Sequence, residues 1–325
     1  MIRASSLLSN LPRFLVNLLK LYLPRRENKM RGLWIGLAAA GLGVFTAISA
    51  NSHAEDTVSK IIEVTQTGNG DGRTVVLIPG LASSASVWDD TRVVLEADYD
   101  VRTVQVAGFA GAGAVDIEGS YTDAIADALI VELGEMPGRD VVLVGHSMGG
   151  FVSMKTALGA PELIDELVIV DSLPFLAGLF NPGATPELAA AQGPAMAAQM
   201  TAMPREAFDT QQKFGLSRLV KTQDYLPTLE AWGKTSNQAT VAKVTGELIA
   251  ADLRPALENL QQETLMLMPW DAAMGIPETQ VRDIYEAQYA AAPNTRVETI
   301  EGSFHFIMVD QKEAFLESLT SALED

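Results

Sequence analysis

Ser147 sits in the run Val141-Val142-Leu143-Val144-Gly145-His146-Ser147-Met148-Gly149-Gly150, and His305 in Glu301-Gly302-Ser303-Phe304-His305-Phe306. Two aspartates follow strongly apolar runs: Asp171 after residues 167–170 and Asp271 in Pro269-Trp270-Asp271. A serine hydroxyl is a weak nucleophile at neutral pH. It gains strength from a base within hydrogen-bonding reach, itself oriented by an acid. The chemistry open to these residue types is attack by Ser147 on a carbonyl carbon, with His305 moving the proton. We favour Asp271 as the orienting acid, because its strand directly precedes the unit that delivers His305. Asp171 is the alternative. The attacked carbonyl becomes an oxyanion, which needs about two fixed N–H donors. The N–H of Met148, next after the nucleophile, is one; the N–H of Leu81, after the permissive Gly80, is the other. His146 is expected to point away from Ser147 and brace its turn. His53 falls in a segment expected to be removed.

These residues need elements to bring them together. Residues 141–144 read as a buried strand and 151–158 as a helix, so Gly145-x-Ser147-x-Gly149 occupies the strand-to-helix turn in which such a motif exposes its serine. The helix also aims its first N–H groups at developing negative charge. Further strands are expected near residues 59–65, 74–78, 101–106, 167–170, 264–268 and 296–300. Helices are expected at 88–96, 121–133, 278–291 and 311–323. This alternation predicts an α/β fold, with a mostly parallel sheet covered by helices on both faces. Sites in such sheets lie beyond the carboxyl ends of the strands, where Gly80, Ser147 and Asp171 all fall.

Between the two halves the pattern changes. From 173 to 258 strand-like runs vanish, Ala, Met and Gln dominate 186–203, and helical periodicity marks 218–229 and 241–253. This reads as a helical lid inserted into a core formed by 55–172 and 259–325. Met148, Met196, Met200, Met203, Met266, Met268 and Met274 fall near the elbow, lid and acid loop. Most are explained by core packing, and together they suit an apolar acyl pocket.

The chain has 325 residues, 48% of them hydrophobic, and no cysteine, which removes disulfides and thiolate chemistry from consideration. Three histidines argue against a histidine-rich metal site, and no metal or cofactor is expected. Residues 1–54 hold seven Lys or Arg and one acid, a net of +6, so with −18 on the whole chain the remainder carries −24. Such an acidic body repels nucleic acid, which is not an expected partner. Residues 33–45 form an apolar core of signal-peptide length, and Ser52-His53-Ala54 offers small residues before a cleavage. The expectation is export to the periplasm or beyond through a signal at 30–54, with translation from Met1 or Met30 and no membrane span after cleavage. A membrane anchor through 33–50 is the alternative.

The motifs Ile78-Pro79-Gly80-Leu81-Ala82-Ser83-Ser84, Ala107-Gly108-Phe109, Gly145-His146-Ser147-Met148-Gly149-Gly150 and Gly302-x-x-His305-Phe306 resemble the α/β-hydrolase superfamily, in its lidded esterase-like branch. The resemblance spans about 75–323 and keeps the chain order Ser, Asp, His. Pro79 stands where a histidine is common, and the acid loop lacks its usual glycine. The resemblance implies the α/β-hydrolase fold and a serine hydrolase triad but does not specify a substrate. The expected reaction is cleavage of a small-molecule ester or lactone, with an apolar acyl group suggested by the methionines. Amide cleavage, as in proline-iminopeptidase-like enzymes, and a non-catalytic binding module are the alternatives.

Overall fold

The computed structural model describes residues 60–68, 72–136, 140–181 and 183–324. The proposed export signal, including His53, lies outside them. Among the described residues, seven strands form one sheet: β1 (Ile62–Gly68), β2 (Thr74–Ile78), β3 (Asp100–Val106), β4 (Val141–His146), β5 (Glu166–Val170), β6 (Glu263–Trp270) and β7 (Thr295–Glu301). Their order is β1-β3-β2-β4-β5-β6-β7. Only β1 runs antiparallel, against β3 at the edge. Every residue of β2 and β4 is buried, as expected of parallel strands covered on both faces.

Alternation along the strands splits the core in two. Val76, Ile78, Leu143, Ile169 and Met266 face one layer, with Ile125 and Leu129 of α2 (Tyr121–Gly134) and Val152 of α3 (Met148–Gly159). Val75, Leu77, Val142, Val144, Val168 and Leu267 face the other. Leu95 of α1 (Asp89–Leu95) and Phe315 and Leu319 of the C-terminal helix Lys312–Glu324 pack there. A side-chain period of two places neighbouring strand residues on opposite faces.

The sheet changes direction of growth between β2 and β4: β3 lies on one side of β2 and β4 on the other. A crevice opens at such a switch point beyond the strand ends. The loop after β2 carries Gly80 and Leu81, and the turn after β4 carries Ser147.

Between β5 and β6 the chain is helical: α4 (Leu176–Phe180), α5 (Pro186–Thr201), α6 (Arg205–Leu216), α7 (Leu226–Thr235) and α8 (Gln238–Ala250). α5 and α8 approach closely through Gly193 and Gly246; a Cβ on Gly193 would lie 2.2 Å from the Gly246 carbonyl oxygen. The expected helix over 218–229 does not form. Its first half is a non-helical strap whose N–H groups have another acceptor: Lys221 and Thr222 donate to the carboxylate of Asp310. Pro227 then sits in the first turn of α7, where its missing N–H costs nothing. The helix expected over 241–253 begins at Gln238, because Asn237 accepts from the N–H of Thr240 as its cap. Helices α9 (Glu278–Tyr289), α10 (Ile307–Asp310) and α11 (Lys312–Glu324) complete the chain. Among the described residues, no helix is long and apolar enough to cross a membrane.

Candidate active site

Ser147 occupies the turn between β4 and α3 with φ 54° and ψ −118°. A non-glycine residue in that region stores about 1–3 kcal/mol of backbone strain, which surrounding contacts must hold. Here the Ser147 N–H donates to the carbonyl of Val170 at 2.9 Å, and its carbonyl accepts from the N–H of Phe151 at 3.1 Å. The turn also needs helix and sheet to approach one another. A Cβ on Gly149 would fall 2.2 Å from the Ile78 carbonyl oxygen, so only glycine lets α3 start this close to β2. Gly80 sits against the elbow as well: a Cβ there would lie 2.9 Å from Nδ1 of His146 and 3.2 Å from Cβ of Ser147.

His305 follows β7, and its Nδ1 lies 2.5 Å from Oδ2 of Asp171. The acid beside the base is therefore Asp171, and the expectation for Asp271 is corrected. The reason is strand register. Val170 pairs with Leu267, so Asp171 is level with Met268, and Asp271 lies three residues farther along its strand. At about 3.3 Å per residue it overshoots the rim by roughly 10 Å. β5 also adjoins β4 directly, whereas β6 is one strand removed. Asp271 instead accepts from Nζ of Lys221 at 2.6 Å and from the N–H of Ala273 at 2.7 Å, capping the short turn Ala272–Met274. The Lys221 hydrogen bond, then the Ala273 N–H, holds its carboxyl below the usual carboxylate range.

Asp171 is itself braced. Its φ is 43°, and its N–H donates to the Leu267 carbonyl at 3.0 Å. The Tyr285 hydroxyl donates to Oδ1. One turn later on α9, the Tyr289 hydroxyl donates to the Ser172 carbonyl at 2.8 Å. Burial, then the Asp171 charge, raises both phenols well above their ordinary range, so both stay protonated donors. Sequence reasoning missed this pair. The available signal was two tyrosines at i and i+4 on an otherwise polar helix, since a buried tyrosine hydroxyl seeks an acceptor.

His146 does more than brace the elbow. It is fully buried, and its Nε2–H donates to the His305 carbonyl at 3.0 Å. Its ring lies 4.5 Å from that of His305 and 4.9 Å from that of Phe306, centroid to centroid. Burial, then the neighbouring His305, pushes it well below the usual histidine range, so it remains neutral. It couples the nucleophile turn to the loop of the base.

Ser147, Met148, Leu81, His305 and Asp171 all line one cavity of about 270 Å³. Most of its remaining wall is apolar: Phe151, Leu173 and Met274 from the core side, and Leu176, Leu216, Leu229, Trp232 and Leu248 from the inserted helices. Of the methionines singled out in the sequence, Met148 and Met274 reach the cavity, while Met200, Met266 and Met268 are buried in the core. Among the described residues, the Ser147 hydroxyl makes no hydrogen bond. In enzymes of this geometry that contact commonly tightens only when substrate binds. Among the described residues, no cluster of three or more His, Cys, Asp or Glu is placed to hold a metal ion.

A strained serine on a strand-to-helix turn, facing a histidine–aspartate pair at the switch point of a parallel sheet, defines the α/β-hydrolase class. Residues 75–318 match the model of the alpha/beta hydrolase family, and the chain belongs to that family. Over 108 residues it is 31% identical to the pimeloyl-(acyl-carrier protein) methyl ester esterase of Aliivibrio fischeri, covering 32% of this chain and 38% of that protein. The chain thus matches about two fifths of the length of such curated relatives. In three dimensions it is similar to a bromoperoxidase from Bacillus anthracis, with a TM-score of 0.67 and 22% identity over 81% of this chain and 95% of that one. It is also similar to the enol-lactonase from Burkholderia xenovorans LB400, with a TM-score of 0.65 and 16% identity over 81% and 96%. These two likenesses concern the fold.

Proposed function

We propose that this protein is a serine hydrolase of carboxylic esters or lactones, working through an acyl-enzyme on Ser147. The observation that carries the reading is the His305–Asp171 contact opening onto the same cavity as the strained Ser147. In this mechanism His305 takes the Ser147 proton on Nε2 as Oγ attacks the carbonyl carbon. Asp171 fixes the proton on Nδ1 and stabilises the imidazolium that forms. The N–H groups of Leu81 and Met148 hold the oxyanion, aided by the N-terminus of α3. The tetrahedral species collapses, His305 protonates the departing alkoxide, and water attacks the acyl-enzyme by the same route in reverse.

The cavity wall favours an apolar acyl chain. Asp171 is the sole carboxylate among the cavity-lining residues, and it is engaged by His305 and Tyr285. An aminoacyl amine would find no counter-ion there, which weighs against the aminopeptidase reading. Residues 33–54 support export in this proposal, and N-terminal sequencing of the protein from its host tests it; a mature chain that retains them overturns export.

A fluorophosphonate probe tests the nucleophile. The folded protein is expected to label at Ser147, and Ser147→Ala is expected not to. Labelling that persists in Ser147→Ala overturns the assignment.

A further inference from the structure

We propose that Arg218 binds a carboxylate on the substrate, so that the preferred ester or lactone carries a free carboxylate at the end remote from the scissile bond. This rests on the serine hydrolase reading and adds a substrate class to it.

Arg218 follows the C-terminus of α6 and lines the cavity that holds Ser147 and His305. Its Nη1 is shielded from solvent and has no hydrogen-bond partner among the described residues. That is out of character for this molecule. The seven other described arginines, Arg73, Arg92, Arg102, Arg205, Arg254, Arg282 and Arg296, each form an ion pair with a carboxylate. Arg218 has instead the face of Phe214, 4.2 Å from its guanidinium carbon. A ring face favours a cation but accepts no N–H in the guanidinium plane.

A guanidinium cannot escape its charge by losing a proton, so a shielded, unbonded N–H in an apolar wall is a cost in the empty protein. The end of α6 favours a positive charge through its exposed carbonyls. That accounts for a cation near this point but not for a shielded Nη1 left without a hydrogen-bond partner in a residue of the cavity wall. A carboxylate satisfies it, by the planar pairing that arginine makes better than lysine. Gln212, within α6, lines the same cavity and adds a neutral amide to its wall.

The charge of the whole molecule makes the expectation distinctive. With a formal charge of −18, the protein's general field repels anionic substrates. A preference for a carboxylate-bearing ester therefore has to come from a local cation.

The test compares p-nitrophenyl half-esters of adipic and suberic acid with p-nitrophenyl hexanoate and octanoate. The wild type is expected to favour the half-esters by about tenfold or more in kcat/KM, the discrimination of one modest charged contact. In Arg218→Gln that ratio is expected to fall by about tenfold, chiefly through KM, with Arg218→Lys intermediate. No half-ester preference in wild type, or an unchanged ratio in Arg218→Gln, overturns the proposal. If Arg218→Gln does not fold, the wild-type and Arg218→Lys ratios decide.

Calorimetric titration separates this proposal from the hydrolase reading. Ser147→Ala is expected to bind monomethyl suberate more tightly than methyl octanoate, whether or not the wild type turns over any ester. Equal affinities overturn the carboxylate site alone. Absence of turnover and of fluorophosphonate labelling in folded wild type overturns the hydrolase reading alone.

Discussion

Asp171 and Asp271 are the same residue type, one after β5 and one after β6, and the structure gives them different work. Asp171 accepts from Tyr285 and faces His305, while Asp271 caps a turn and pairs with Lys221. Asp171→Asn is expected to lower kcat by about 10³–10⁴, because the wrong histidine tautomer is then held. Asp271→Asn is expected to stay within about fivefold of wild type, since a partly exposed ion pair is worth up to about 1 kcal/mol. Ester turnover by the two variants side by side measures this, and a larger loss in Asp271→Asn would reverse the assignment. Tyr285→Phe removes a hydrogen bond to a carboxylate, worth about 1.5–3 kcal/mol. A loss of that order in denaturant unfolding is expected, together with a lower kcat. The aspartate choice was not legible because both residues satisfy the same local rule; strand register separates them, and register is not written in either strand alone.

At the scale of elements, the elbow was legible and the strap over it was not. Gly145-x-Ser147-x-Gly149 announces a tight turn because its small residues have a local steric meaning. A Cβ on Gly149 would reach to 2.2 Å from Ile78, so Gly149→Ala is expected to destabilise the protein by about 1–3 kcal/mol or more and to suppress probe labelling of Ser147. Thermal unfolding and labelling check the two effects. The strap through Lys221 and Thr222 followed no local rule. Its N–H groups are taken by Asp310, which also accepts from Phe304 beside His305. The Phe306 N–H, in turn, donates to Leu219. Asp310 thus ties the inserted helices to the loop of the base. Asp310→Ala is expected to raise KM and lower kcat together, while circular dichroism keeps its native shape; kinetics unaltered within error would remove Asp310 from that role.

For the whole molecule, the acidic charge and the buried His146 set the response to pH. His146 is neutral in the fold because burial and His305 depress its pKa, whereas in the unfolded chain it titrates near about 6.5. Its contribution to stability is complete above that value and is lost as pH falls toward the depressed one, because the unfolded chain then binds the extra proton. The thermal midpoint is therefore expected to decline as pH drops below about 6.5, and a flat profile from pH 7 to 5 would contradict it. What the sequence by itself determined is what is local or periodic: the α/β alternation, the two buried faces of the central strands β2 and β4, the elbow and its serine, and the histidine after the last strand. Only the tertiary structure decided which aspartate meets His305, that Tyr285 and Tyr289 brace the segment carrying it, that His146 joins the elbow to the base, and that Arg218 lines the cavity with no carboxylate partner among the described residues. These depend on how far each strand end projects and which loops then touch. Contacts between distant segments are set by sheet order and register, which no single stretch of the chain encodes.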